Sequence, residues 1–368
     1  MRALQSVRFA IAVVLGTVMF ATPVVAGPAE SRARLAPLEA RIRAGEFGNI
    51  HSLLVRQNGE MLAEWYFAGP DEKRGEPLGN VTFTADTPHD LRSVSKSIVS
   101  LLFGIALQDG AIKNLDTPVL DYFPEYADLR TPERMKITLR DMLSMTSGLH
   151  WDEDTYLYTD VRNSETAMDA AADRYRFILS QPIDAPPGTR WRYSGGDVAV
   201  IAAVLARTTK MPLEEYARIR LFEPLGIAQF AWLKDARGIP FAASGVRLRP
   251  RDMMTVGELV FDGGAYDGKQ IVPRDWIVAS TTRHADVDPG QCGTQYGYFW
   301  WIVPACGAAP AWFSGIGNGG QYIMIVHDLN AVIVSTAGAY NDHAKQGLTR
   351  KMLAAVREAL GGAAPPEH

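Results

Sequence analysis

HDLRSVSKSIVSLL, residues 89–102, sets a cluster of serines around one lysine, Lys96, directly against an apolar run. From Ser95 to Gln108 the residues are apolar nearly all round, the pattern of a helix buried among other elements, and Gly110 is placed as its stop. Ser93-Val94-Ser95-Lys96 is the only Ser-x-x-Lys in the chain. On the first turn of a helix, residues three apart share a face, so the lysine amine can reach the Ser93 hydroxyl. A serine hydroxyl is a weak nucleophile until a base takes its proton, and a lysine desolvated at a buried helix end can lose enough pKa to do so. The positive end of the helix favours an attacking alkoxide and the oxyanion that follows. As a bare pattern Ser-x-x-Lys more often marks a solvated serine beside a surface lysine; the apolar helix behind it argues for chemistry here.

Two further stretches carry candidate chemistry. In PPGTRWRYSGGDVAVIAAVLAR, residues 186–207, Tyr193-Ser194-Gly195 sits on a turn and Asp197 is the expected N-cap of the helix that follows. Tyr193 can share the proton of Ser93 if a nearby cation, expected to be Lys96, lowers its phenol pKa; a packing residue with a satisfied hydroxyl is the plain alternative. In FSGIGNGGQYIMIV, residues 313–326, glycines before a strand let backbone approach a ligand, although a glycine-rich hairpin turn explains the same residues.

Around these stretches the chain divides by pattern. Residues 32–44 have helical spacing, and HSLLVRQNGEMLAEWYF holds two strand-like runs about Asn58-Gly59, a strong hairpin signal. GPDEKRGEPLGN, residues 69–80, reads as a polar loop. Helical patterns and loops dominate from about 115 to 265, including ITLRDMLSMTSGL, AMDAAADRYRFILSQ and RPRDMMTVGELVFDGG. YGYFWWIV, AWFSGI, QYIMIVHDL and AVIVSTAGA then read as an antiparallel meander, and a helix over residues 344–360 closes the chain. The expected fold is α/β (α+β): an antiparallel sheet flanked by helices, from about residues 27–90 and 266–366, with a mostly helical second part at about 91–265.

The order Ser-x-x-Lys, then Tyr-Ser-x, then a glycine-rich strand opening resembles the serine β-lactamase and penicillin-binding protein superfamily, in particular its class C-like esterase and 6-aminohexanoate-dimer hydrolase branch. LRSVSKSIVSLLFGIALQDGAIKNLDTPVLDYFPEY, ITLRDMLSMTSGL, FEPLGI and DGKQIVPRDW look like landmarks of that branch, and the likeness spans residues 45–358. It implies a β-lactamase/transpeptidase-like fold in which Ser93 is acylated, Lys96 is its base and Tyr193 passes the proton to the leaving group. Asn318-Gly319-Gly320 stands where relatives carry Lys-Thr-Gly or His-x-Gly, and the Gln321 N–H is expected to join the Ser93 N–H as oxyanion hole. Gly195 replaces the frequent asparagine of Tyr-x-Asn, and no lysine precedes Gly319. Both departures point away from a dedicated β-lactamase or peptidase and towards an esterase or amidase. In GLHWDEDTYLYTD, where this branch shapes its pocket, Trp151, Tyr156 and Tyr158 are candidate substrate contacts, as is Ser194, with plain loop chemistry an equal reading.

The rest of the chain narrows the alternatives. MRALQSVRFAIAVVLGTVMFATPVVA carries Arg2 and Arg8 before an apolar segment and small residues, the order of a secretory signal cleaved after Ala26, so the protein is expected in the periplasm or outside the cell and at a membrane only through that segment. Without residues 1–26 the chain has 35 basic against 41 acidic side chains, which argues against a nucleic-acid partner. Cys292 and Cys306, the only cysteines, are expected to pair and brace a hairpin in an oxidising compartment. Two cysteines and seven scattered histidines offer no metal-ligand spacing, so neither metal nor organic cofactor is expected. No G-x-S-x-G elbow is present, which disfavours an α/β-hydrolase triad. The expected substrate is a small ester or amide; a D,D-peptidase, a weak β-lactamase and a non-turnover penicillin binder or sensor are the rivals.

Overall fold

The computed structural model describes residues 27–290 and 292–363; the expected secretory signal, residues 1–26, lies outside the described residues. Eight antiparallel strands form the main sheet, in the order Ala285–Asp286, Gln295–Tyr296, Trp301–Val303, Trp312–Gly317, Gln321–Val326, Ala331–Ala337, Ile50–Gln57 and Glu60–Tyr66. The first and last parts of the chain thus share one sheet. Its join is the pairing of Ile50–Gln57 with Ala331–Ala337, and Asn58 and Gly59, both at positive φ, make the tight turn into the next strand.

Both faces of the sheet are covered, and side-chain alternation sorts the residues between them. Tyr322, Met324 and Ile333 pack with Leu35, Leu38, Met352 and Val356 of the terminal helices Pro28–Arg43 and His343–Ala359. Ile323, Ile325, Val332 and Val334 face the larger core, shared with the helices Val94–Gln108 and Pro250–Phe261. The Pro250–Phe261 helix, inside the stretch expected to be the helical part, therefore packs on the sheet itself, with Gly257 seated against Val332. Among the described residues no helix is long and apolar enough to cross a membrane.

Residues 69–80 are not a loop. Ala68–Lys73 and Glu76–Thr82 pair as a separate antiparallel hairpin that turns at Arg74 and Gly75, both at positive φ. Its polar composition reflects solvent on most of the ribbon, not missing backbone pairs. ITLRDMLSMTSGL yields only the short helix Leu139–Leu143, started by a reciprocal cap between Thr138 and Asp141. The Cys292–Cys306 disulfide, with Cα atoms 5.5 Å apart, closes the open end of the hairpin formed by Gln295–Tyr296 and Trp301–Val303.

Candidate functional site

Ser93 occupies the N-cap position of the Val94–Gln108 helix and spends no side-chain bond on capping it, so its hydroxyl is left for other partners. One turn further, Lys96 is buried to 1% exposure, and its Nζ donates to Ser93 Oγ at 3.0 Å and to the Ala243 carbonyl at 3.1 Å. The same Nζ lies 4.7 Å from the centre of the Tyr193 ring. The three residues expected to act together do meet.

The sequence-based expectation of a lowered phenol pKa at Tyr193 is reversed. Burial first, then the nearby Glu153, push it well above the ordinary value; the Ser93 hydroxyl acts the other way and is outweighed. Glu165 adds to the rise. Tyr193 therefore stays a neutral phenol at physiological pH and is suited to donating or relaying a proton.

Two arms of one cleft meet at Ser93. The aromatic arm, about 460 Å³, is lined by Tyr156, Tyr158, Trp191, Tyr193 and Trp301, with Ile316 and Gly317 from the sheet edge. The charged arm, about 190 Å³, is lined by Glu72, Arg74, Arg92, Glu165 and Asp169. Here Arg92 pairs with Glu72, and Arg74 with Asp169. Burial and the nearby Glu165 raise Asp169 to about 6 despite that pairing.

Four sets of residues take places other than those expected. Trp151 is not a substrate contact: it is buried to 1% exposure, its indole donates to Glu153, and Gly196 lies against its ring. Ser194 is also withdrawn from the cleft, because it, and not Asp197, caps the Gly195–Thr209 helix by accepting from the Asp197 N–H at 3.0 Å. Asp197 is buried, receives Ser147 Oγ on one oxygen and leaves the other without a partner, and burial raises its pKa well above the carboxylate range. Gly319, Gly320 and Gln321 do not border the cleft. The two glycines form the turn between strands at φ 101° and 103°, against Tyr340 and Thr349, while the Gln321 side chain is buried and bonds to Ala337. The strand residues facing Ser93 come earlier: a Cβ at Gly317 would lie 2.2 Å from the Leu91 carbonyl, so sheet edge and nucleophile turn touch. Asn318 borders both arms, and Tyr156 and Tyr158, the candidate substrate contacts, line the cleft.

Sequence reading missed Glu165, Arg74, Trp191 and Trp301, and it took the acidic loop as a whole where Glu153 alone turns inward. Glu153 accepts from Trp151 Nε1, from the Gly195 N–H and, at 2.9 Å, from the Tyr158 hydroxyl. Among the described residues, three potential metal-ligand atoms converge only at His51, Asp71 and His89, far apart in sequence. His51 Nδ1 and His89 Nε2 are 2.8 Å apart, and their other nitrogens meet the Pro70 and Asp90 carbonyls. Asp71 receives the Tyr340 hydroxyl. We read this as a buried polar knot that anchors the segment entering Ser93.

A model of the Beta-lactamase family matches residues 51–356, most of the chain. The chain belongs to the Beta-lactamase family. Within that family it is 28% identical over 322 residues to the 6-aminohexanoate-dimer hydrolase of Paenarthrobacter ureafaciens, covering 82% of this chain and 75% of the relative. Esterase EstB of Burkholderia gladioli is 29% identical over 181 residues, 47% of this chain and 44% of that protein. A solved structure of a putative 6-aminohexanoate-dimer hydrolase from Bacillus anthracis superposes with a TM-score of 0.70 at 20% identity, over 86% of this chain and 81% of that one. Membership makes the protein a serine hydrolase of the Beta-lactamase family with the mixed α/β fold described above.

Proposed function

We propose that the protein cleaves an ester or amide bond through an acyl-enzyme on Ser93, with Lys96 as the base and Tyr193 as the proton donor to the leaving group. The observation that carries this reading is the Lys96 to Ser93 hydrogen bond at the start of a buried helix, opening on a cleft that Tyr193 also lines. Attack by Ser93 Oγ sends its proton to Lys96 Nζ while the carbonyl oxygen becomes negative. That charge falls to the Ser93 N–H at the helix start and to an N–H of the Trp312–Gly317 edge, where Ile316 and Gly317 line the cleft, in place of Gln321.

The aromatic arm suits an apolar chain and the charged arm a polar or ionic end. A linear amide or ester bearing a terminal charge fits both arms, in keeping with the relatives named for 6-aminohexanoate-dimer hydrolysis and esterase activity. Export is part of the proposal: the basic and apolar leader and the Cys292–Cys306 disulfide both suit an oxidising compartment. The deciding experiment is turnover of a short-chain p-nitrophenyl ester together with fluorophosphonate labelling located by mass spectrometry. Label on Ser93 and loss of turnover in Ser93→Ala are expected; full turnover in that variant would overturn the assignment. Nitrocefin hydrolysis as fast as ester hydrolysis would instead favour the lactam reading.

A further inference from the structure

The closing helix His343–Ala359 does not cover the sheet evenly. A cavity of about 480 Å³ remains beneath it, with Trp301, Trp312 and Ile316 on the sheet side and Arg350 and Arg357 on the helix side. The three sheet residues are only partly buried, so the helix leaves apolar surface uncovered there. Arg357 is the unusual member. It is buried to 7% exposure, its guanidinium stands 5.4 Å from the centre of the Trp312 ring, and its Nε has no hydrogen-bond partner. Among the described residues neither arginine has a carboxylate within ion-pair distance, and Glu358, next along the chain, is exposed. A buried cation is normally paired, so Arg357 lacks a counter-charge in a space open enough to admit one.

We propose that this cavity is a third arm of the cleft and holds the far end of a long substrate, an apolar chain that terminates in a carboxylate. The link to Ser93 rests on the acyl-enzyme reading above. Trp301, Ile316 and Gln346 line both the cavity and the aromatic arm, so the two are continuous. Along the helix axis Arg350 stands about 6 Å beyond Gln346, and Arg357 about 16 Å beyond it. A chain that passes the shared wall therefore meets one guanidinium and then the other.

The chemistry of the walls selects the ligand. Trp301, Trp312 and Ile316 take methylene groups out of water. A guanidinium binds a carboxylate through two parallel N–H bonds and supplies the geometry that a lysine would not. One delocalised negative charge also suits a largely apolar cavity better than a doubly charged phosphate, which costs more to desolvate.

Calorimetry with dodecanoate tests the arm without turnover. The wild type should bind dodecanoate, and should bind butanoate, too short to fill the cavity, roughly tenfold or more weakly. Arg357→Met keeps an apolar stem and removes the charge; once thermal melting has shown it to be folded, it should lose roughly tenfold or more in dodecanoate affinity. Arg350→Met, at an exposed position, should lose about threefold. Dodecanol should bind wild type and Arg357→Met alike. In p-nitrophenyl acetate turnover, dodecanoate should raise the apparent KM and leave kcat unchanged, because its chain lies across Trp301 and Ile316. Absence of dodecanoate binding to the wild type overturns the proposal, as does equal affinity in wild type and Arg357→Met. If Arg357→Met does not fold, unchanged affinity in Arg350→Met has the same force. Binding that leaves the apparent KM unmoved overturns it too, because the cavity is then separate from the cleft. If Ser93 is neither acylated nor labelled, the earlier reading fails, and calorimetry alone decides the arm.

Discussion

Lys96 reaches Ser93 Oγ at 3.0 Å while the Ala243 carbonyl braces it at 3.1 Å, so a single buried amine is aimed at the hydroxyl by the backbone of a distant segment. Replacing it with a side chain of similar bulk but no basic nitrogen separates aim from chemistry. Lys96→Met should keep the fold and lower kcat by roughly 10³-fold or more, read from single-turnover ester cleavage. A variant with more than a tenth of wild-type kcat would remove Lys96 from the proton path.

Tyr193 invites a milder change. Tyr193→Phe keeps the ring that lines the aromatic arm and deletes only the hydroxyl. Turnover should fall by roughly 10²- to 10⁴-fold, with the larger loss for amides, whose leaving group needs a proton more than p-nitrophenolate does. Equal loss for both substrates would argue against proton donation to the leaving group.

Trp151 is a stability residue by its surroundings. Trp151→Ala empties a fully buried site beside Gly196 and strips Glu153 of a donor, and it should cost about 3–5 kcal/mol in urea unfolding. A loss confined to KM, with unfolding unchanged, would restore it as a substrate contact.

Asp197 gives a pH signature with a definite sign. Its folded pKa is raised by burial, so between the unfolded value and that raised value the folded chain keeps a proton the unfolded chain has lost. Its contribution to stability therefore declines as pH rises through this window. Asp197→Asn, an amide close in shape to the neutral acid, removes the decline and should gain on the wild type as pH goes from 5 to 8. Urea midpoints at several pH values test this, and parallel curves would show that Asp197 is ionised in the fold.

The disulfide closes a short loop, the two cysteines standing 14 positions apart in sequence. Replacing Cys292 and Cys306 together by serine should cost about 3 kcal/mol, lowering the melting temperature without altering label at Ser93. Reductant should lower the wild-type melting temperature to match and leave the double variant unmoved.

What the sequence reveals here is what neighbours in the chain decide. Ser93 and Lys96 are three residues apart on one helical turn, and Asn58-Gly59 encodes its own turn, so both are legible. The Tyr193 corner is legible as a corner, but its electrostatics belong to Glu153 and Glu165, which are brought in from other segments. Ser194 and Asp197 exchange the capping role because the cap depends on where the helix begins, a difference of a few residues that pattern alone does not resolve. Gly319 and Gly320 attract attention as a motif, yet the residues that line the cleft are Ile316 and Gly317, with Gly317 against the nucleophile turn, and only strand register separates the two possibilities. Residues 69–80 hide a hairpin because an exposed two-stranded ribbon needs no alternation of apolar and polar side chains.

That ribbon has an evolutionary meaning. Arg74, Glu72 and Gly75 give the charged arm much of its wall, yet they stand on a hairpin outside the eight-stranded sheet and largely outside both cores. Substitutions and length changes there can recast which polar end is recognised while the Ser93 helix and its sheet stay as they are. On the proposed reading, recognition of the polar end and cleavage sit on separate parts of the chain, so the ribbon can change without disturbing the helix that carries Ser93.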